Sequence, residues 1–484
     1  MIKNWLDIQP APLTGVSLYE SLPFEMRAAE GLLWYRGNAA ELNQFYMQTA
    51  NDKTVRARFW ATPTSGNVRK LHSGLPAILI DTLAYLVKND LDQVEFLHGE
   101  GKDVWEEMNA CADFRFSDIV GAGIVGALSS GDGAWKISVD KNVSPYPIVE
   151  FYTADRVDYI SAHGIVSGID FYTDYVKKRK TYRLRESYRK GRVTYTLFDG
   201  DREVDLSVLE ETADLHTVEF NGEYMMAVPF RVFDNPRVPV RGKPLLESKV
   251  DALDMFDEIL SQWVDAFRKG RAQKYIPEAL IPRDVFNGSL KPQNPFDNEY
   301  ISVENITSEN GTANNGQIQV IQPEIPYDAL LAGYTTALDL CLQGIVSPAT
   351  LGIDVGKMSS ADAQREKKDV TAATRNSITG KLEVCLPQLI AAVLMTYDIF
   401  FRREKTPKHY APSVAFGEYG APDFDSRVET VTKAAAGSTM SIETQVDELW
   451  GSSKDEDWKA AEVRRIKYQR GIETVAEPRV GEQL

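Results

Sequence analysis

Cysteine and histidine are both scarce. Three cysteines occur in 484 residues, Cys111, Cys341 and Cys385, far apart and with no CxxC among them. An odd count without a repeated spacing argues against a disulfide framework. All three sit in apolar or helical contexts, so the sequence predicts buried thiols in a reducing compartment. The five histidines (His72, His98, His163, His216 and His409) are scattered and no HExxH occurs, so no zinc site is expected. His98-Gly99-Glu100 echoes a deaminase fragment, but no PCxxC follows it. A GxSxG nucleophile elbow is also missing. The nearest approach to a P-loop, Gly352-Ile353-Asp354-Val355-Gly356-Lys357-Met358, has the wrong spacing and lacks a preceding strand. It also puts a methionine where Mg²⁺ needs a hydroxyl. Carboxylates are plentiful, yet spacing singles out no pair. The expectation is a chain with no catalytic residues, no cofactor and no metal.

Long apolar runs are missing too. Leu389 to Leu394 is among the longest, far below the roughly 20 residues of a membrane span. The start, Met1-Ile2-Lys3-Asn4-Trp5-Leu6-Asp7, has one basic residue and no apolar stretch. The sequence therefore predicts no membrane partner and synthesis in the cytoplasm. Positive charge is in deficit: 54 Lys and Arg face 70 Asp and Glu, a formal charge of -16. Sequence-reading DNA binders are basic because they neutralise phosphates. This chain cannot grip DNA over its whole surface, although an acidic wall would let DNA pass without sticking. Solubility is the plainer reading of the charge.

What remains is an ordinary globular balance, 43% hydrophobic and 26% charged. At roughly 150 residues per domain the length allows about three domains. Apolar periodicity predicts helices over Ala39–Thr49, Leu75–Val87 and Phe114–Leu128, the last weakened by Gly121, Gly123 and Gly126. Tyr182–Tyr188 and Arg192–Phe198 read as strands joined by a hairpin turn at Arg189-Lys190-Gly191. Short strands are expected at Glu203–Leu206 and Val228–Phe233.

The character changes at Gly242-Lys243-Pro244, where a helix is expected to start. Leu253, Phe256, Leu260, Trp263, Val264 and Phe267 fall at its helical spacing. A Pro- and Gly-punctuated insert of about 50 residues follows, with strand-like Tyr300–Val303 and Ile318–Ile321. A second helix, Tyr327–Val346, carries Leu330, Tyr334, Leu338, Cys341 and Ile345 in one stripe. An antiparallel helix pair with the insert at its tip is the natural packing. The loop Ser347–Ser360 leads to a very long helix, Ala361 to about Arg402, which Pro387 is expected to kink. Ser359 or Ser360 could cap it. Ser441-Ile442-Glu443-Thr444 is a capping-box candidate, and Asp455–Arg470 a charged amphipathic helix.

This order of parts resembles the portal proteins of long-tailed phages. Trp34-Tyr35-Arg36-Gly37-Asn38 with Leu42, Gln44, Phe45 and Tyr46 resembles the family's first helix region. Arg69–Asp90 resembles its next helix, and Pro229–Asn235 its strand before the stem. Ser360–Arg375 resembles the start of its long helix, and Ser441–Thr444 with Leu449-Trp450-Gly451 its C-terminal region. The resemblance covers most of the chain and rests on the ordered set, with no single diagnostic motif. It implies a helix-rich α+β fold. An α+β wing would span 1–244, stem helices 245–272 and 327–346, and a small α/β clip 273–326. A tunnel loop would span 347–360, the long kinked helix with the rest of the wing 361–437, and a helical crown 438–484. It further implies a dodecameric ring of the chain itself at one vertex of the virion. Through that ring double-stranded DNA would pass without sequence specificity. The large terminase, head-tail adaptors, and major capsid and scaffold proteins would be its partners.

Two sets of residues become candidates on that basis. Gly352, Asp354, Gly356, Lys357 and Met358 would face DNA on the tunnel loop. The two glycines would let the loop bend, and Lys357 would form one link of a positive belt; a solvated loop lysine without a role is the plainer alternative. The acids Asp251, Asp254, Asp257, Glu258 and Asp265 of the first stem helix would line a channel or a subunit interface, against a plain solvated helix face. Two other classes stay open. One is an enzymatic packaging-motor or nuclease subunit, which the missing P-loop disfavours. The other is a non-ring virion scaffold.

Overall fold

The computed structural model describes residues 22–49, 57–63, 68–91, 94–270, 273–277, 301–303, 319–321, 324–353, 361–417, 424–437, 439–451 and 454–471. The chain is mixed helix and sheet. Helices α1 (Phe24–Arg36) and α2 (Ala39–Thr49) meet at Gly37, whose φ of 69° turns the chain. Then come α3 (Leu75–Asn89), β1 (Glu95–Phe96), α4 (Lys102–Ala110) and α5 (Phe116–Ser130). The helix expected over Leu75–Val87 is present, but Ile78 points outward, at 50% exposure, while Leu79, Ile80 and Leu83 are buried.

Helix α5 shows why its glycines are tolerated. A Cβ on Gly123 would lie 2.3 Å from the Trp135 ring, and one on Gly126 would lie 2.4 Å from Phe151. The helix backbone is thus in contact with aromatics of β2 (Asp132–Ser138) and β3 (Ile148–Thr153), which would otherwise have no room. Glycine costs helix propensity here and repays it in close packing.

Antiparallel strands β4 (Val157–Ala162), β5 (Ile165–Lys177), β6 (Lys180–Arg189), β7 (Arg192–Asp199) and β8 (Arg202–Val204) follow in spatial as in sequence order; β9 (Val218–Glu219) pairs with β7. The expected hairpin of β6 and β7 closes at Lys190-Gly191, with Arg189 opposite Arg192 and Gly191 at φ 70°. The strand expected over Glu203–Leu206 lies instead at Arg202–Val204, because Asp205 starts a tight turn by accepting the Ser207 N–H. Strand β10 (Ala227–Arg231) completes a second sheet of order β10-β2-β3. A buried ion pair ties the two sheets: Lys136 of β2 lies 3.0 Å from Glu186 of β6 and bonds the Tyr152 hydroxyl. Arg241 adds a second tie. Its guanidinium forks onto buried Asp132 through two 2.9 Å bonds and reaches the carbonyls of Ala154 and Val157.

Helix α6 (Val250–Lys269) leads into β11 (Gln273–Pro277). β12 (Ile301–Val303) pairs with β11 in parallel, and β13 (Gln319–Ile321) pairs with it antiparallel. Helices α7 (Tyr327–Leu342) and α8 (Ala361–Phe400) follow, and β14 (Pro412–Ser413) returns to pair with β1. One apolar core joins α3, α5, β2, β10, the inner ends of α6 and α7, and the second half of α8. Among the described residues α8 alone is long and apolar enough, over Val370–Phe400, to cross a membrane, but 56% of its apolar window is buried in the chain. It is a core helix. Pro387 lies inside it.

The residues from Gly417 onward form a second compact unit, so it begins about 20 residues before the boundary expected from sequence. It holds α9 (Phe424–Ala436), α10 (Ile442–Trp450) and α11 (Glu456–Gln469). Ser441 caps α10 by accepting the Thr444 N–H, and Asp455 caps α11 by accepting the Trp458 N–H. The capping box is half realised, since its fourth residue is threonine rather than a glutamate that could reach back.

Candidate functional site: the helix pair and its loop

The expected first stem helix starts later than Pro244. Leu245 donates to the Leu128 carbonyl, and a tight turn at Glu247–Lys249 precedes Val250. Those bonds hold the segment in the core and delay the helix. Ring contacts then pair α6 with α7: Phe256 with Tyr334 at 5.2 Å, and Trp263 with Tyr327 at 6.3 Å. At the other end Lys249 donates to the Leu340 carbonyl. Numbers rising on one helix against numbers falling on the other make the pair antiparallel, with β11, β12 and β13 between their far ends.

Burial fades along the pair. Leu253 and Phe256 are buried, Leu260, Trp263 and Val264 half-buried, and Phe267 is 52% exposed. On α7 Leu338 and Cys341 are buried and Leu330 and Tyr334 half-buried. The second helix ends at Leu342 rather than Val346, because Gly344 turns the chain at φ 78°; Ile345 and Val346 are buried beyond that turn. The pair is therefore rooted in the core and projects from it. Burial pushes the Cys341 thiol up to about 12, so it is inert. Cys385 is also buried; Cys111, expected to be buried, is only half so.

The five stem acids divide. Asp254 and Asp257 face inward, at 7% and 0% exposure, so neither can line a channel or meet a neighbouring subunit. Asp254 accepts the backbone N–H groups of Phe59 at 2.7 Å and Trp60 at 3.2 Å. Burial raises its pKa, against the pull of those two donors. Asp257 accepts the Ser73 N–H at 2.9 Å and the Trp60 indole N–H at 3.3 Å, and faces His72 Nδ1 at 3.1 Å. One turn on, Ser261 accepts the Leu71 N–H. The root of α6 is thus bolted to the backbone N–H groups of Phe59, Trp60, Leu71 and Ser73. Lys70 in turn donates to the carbonyls of Phe59, Trp60 and Thr62. The other three acids reach the surface. Asp251 lies 3.3 Å from Arg58 with its side chain 90% exposed, Glu258 accepts from Gln262, and Asp265 pairs with Lys269 at 2.6 Å.

The loop after α7 is described up to Ile353. Pro348–Leu351 form a tight turn that ends at Gly352, φ 69°. Asp354, Gly356, Lys357 and Met358, like Ser359 and Ser360, lie outside the described residues. The root of the loop is pinned to α8 by threonines. Thr371 accepts the Ser347 N–H and meets the Thr350 hydroxyl, and Thr374 donates to the Ile345 carbonyl. Arg375, buried beside them, bonds Asp90 at the end of α3. None of these anchors stood out in the sequence. His72 did so only as one of five scattered histidines, and its place just before an apolar helix was the available signal.

No family model matches the chain, and no curated protein does. Among solved structures it is similar to a chain in the neck of a native gene transfer agent particle computed with C12 symmetry. That match has 13% identity over 85% of this chain and 92% of the other, at a TM-score of 0.38. A chain in the virion of the native particle matches at 12% identity, covering 96% and 98%, with a TM-score of 0.40. A chain in the neck of the empty particle computed with C6 symmetry matches at 13% identity, covering 81% and 89%, with a TM-score of 0.39. Likenesses this loose carry no conclusion, and the functional reading rests on the chain's own geometry.

Proposed function

We propose that this chain is a portal-type subunit: a structural protein that assembles into a ring at one vertex of a phage-like capsid and lets double-stranded DNA through. The observation that supports it best is the antiparallel pair α6 and α7. The pair is bolted into an α+β body at one end and bears a small three-stranded insert at the other. Directly after it come a short loop and a 40-residue helix that threads the same body. That succession is what the sequence resemblance leads one to expect of wing, stem, clip, tunnel loop and long helix. On this reading Asp251 and Glu258 are the stem acids available to a channel or a neighbour, Asp265 being largely covered and paired with Lys269, and Lys357 is the cation of the loop. The subunit is a conduit without catalysis of its own. A separate terminase drives the DNA, and adaptors, capsid and scaffold proteins bind around the ring.

Negative-stain electron microscopy of the purified full chain tests the reading. Rings with a central hole are expected. Monomers or dimers that persist when scaffold protein is added would overturn it in favour of a non-ring virion scaffold.

A further inference from the structure

The hairpin of β5 and β6 runs from Gly168 opposite Arg189 to Lys177 opposite Lys180. Its base is core, with Ile169 and Phe171 fully buried. Its tip leaves the core: Val176 is 76% exposed, and Lys178, Arg179 and Lys180 are exposed. Four cations in succession, Lys177 to Lys180, close the tip of a chain whose formal charge is -16. Lys177 is tied to the Val208 carbonyl at 2.7 Å and Lys180 to Asp199 at 3.0 Å. Lys178 and Arg179 have no hydrogen bond or ion pair among the described residues.

These two residues also occupy the wrong backbone for their type. Lys178 has φ 50° and Arg179 φ 65°. A type I′ turn between twisted antiparallel strands takes positive φ at both positions, which Asn-Gly adopts readily and long side chains resist. The neighbouring turn, Lys190-Gly191, puts glycine where this one puts arginine. Local preference therefore does not account for Lys178-Arg179, and a local rule broken on an exposed tip points to function. Protection of a sheet edge asks only for a lysine on the strand, and Lys177 supplies it.

We propose that this tip is a second, sequence-independent contact for the phosphate backbone of double-stranded DNA. The proposal rests on the DNA-channel reading above and adds a site to it in the α+β body. Both residues stand exposed on the turn between β5 and β6. Two long, unpaired cations on a projecting turn suit a ligand recognised by charge and reach alone.

The double variant Lys178→Asn, Arg179→Gly separates binding from folding, because it installs the sequence the turn prefers. Its melting temperature should equal or exceed that of the parent. Its affinity for a labelled random duplex, read by fluorescence anisotropy at 50 and 200 mM salt, should fall at least tenfold. The slope of log affinity against log salt should shrink by about two per bound chain. Swapping the two cations (Lys178→Arg, Arg179→Lys) should keep parental affinity. Unchanged duplex binding by the Asn-Gly variant overturns the proposal. So does parental binding to polyglutamate but not to duplex, which would assign the tip to an acidic protein. Electron microscopy of the same samples keeps the two readings apart: rings without a tip effect sink only this proposal, and rings absent even with scaffold protein added sink the portal reading.

Discussion

His72 has an acceptor at each ring nitrogen: the Asp257 carboxylate at Nδ1 and the Trp34 carbonyl at Nε2, both at 3.1 Å. The Gly74 N–H also approaches Nδ1, but at 3.5 Å it is too long to compete. A ring protonated at both nitrogens satisfies both acceptors, so these two partners favour the charged form. Burial pulls the imidazole down, but the hydrogen bond and charge of Asp257 and the bond to Trp34 outweigh it, so its pKa stands above the ordinary value. The sign follows. A raised folded-state pKa gives stability that is complete below the unfolded value, near pH 6.5, and lost as pH rises through the folded one. The melting temperature should therefore fall as pH rises above the ordinary imidazole value, and His72→Gln should flatten that fall; parallel curves would remove His72 from the account. Asp257→Ala strands the His72 ring, the Ser73 N–H and the Trp60 indole together, and should cost about 3–5 kcal/mol in denaturant unfolding. Asp251→Ala, on the exposed side of the same helix, should leave the midpoint where it is.

At the level of elements, helices and caps were the legible part. Ala39–Thr49 emerged at its predicted ends because Leu42, Phe45 and Tyr46 keep helical spacing. Ser441 announced α10 because a cap is a local device. Strands β2 to β5 were not read at all. β2 is buried almost throughout and so lacks the alternation that marks a half-exposed strand. The inward turn of Asp254 and Asp257 was illegible for another reason: their donors, at Phe59, Trp60 and Ser73, lie almost 200 residues away in sequence, and a carboxylate on a helix reads as solvated. Helix α5 makes the cost of such hidden contacts measurable. Alanine raises helix propensity by about 1 kcal/mol over glycine, so Gly121→Ala, whose Cβ would meet only the Lys88 side chain at 3.4 Å, should raise the thermal midpoint. Gly123→Ala drives a methyl into Trp135, and overpacking of about 1–3 kcal/mol should outweigh the gain. Calorimetry that finds Gly123→Ala stabilised would mean that the Trp135 ring can retreat.

For the whole molecule the sequence conveyed the succession of parts better than their joints. The compact C-terminal unit takes in α9 as well as α10 and α11, and it begins within a stretch punctuated by Pro407, Pro412 and Pro422. Because the core cluster of the larger unit draws on no residue beyond Phe416, a chain ending at Phe416 should still melt cooperatively, within a few degrees of the parent. A broad, non-cooperative transition with lost near-ultraviolet circular dichroism would show that the units fold as one.

The pairing of β11 with β13 reaches furthest. Gln273 sits opposite Ile321, so the chain leaves the helix pair and re-enters it through adjacent strands. Entry and exit therefore stand side by side on neighbouring strands, and β12 joins them on the other edge of β11. The sequence between the strands can change in length without altering the distance between the helix ends or the packing of the roots. A lineage could therefore exchange that stretch while inheriting the helices and the body unchanged.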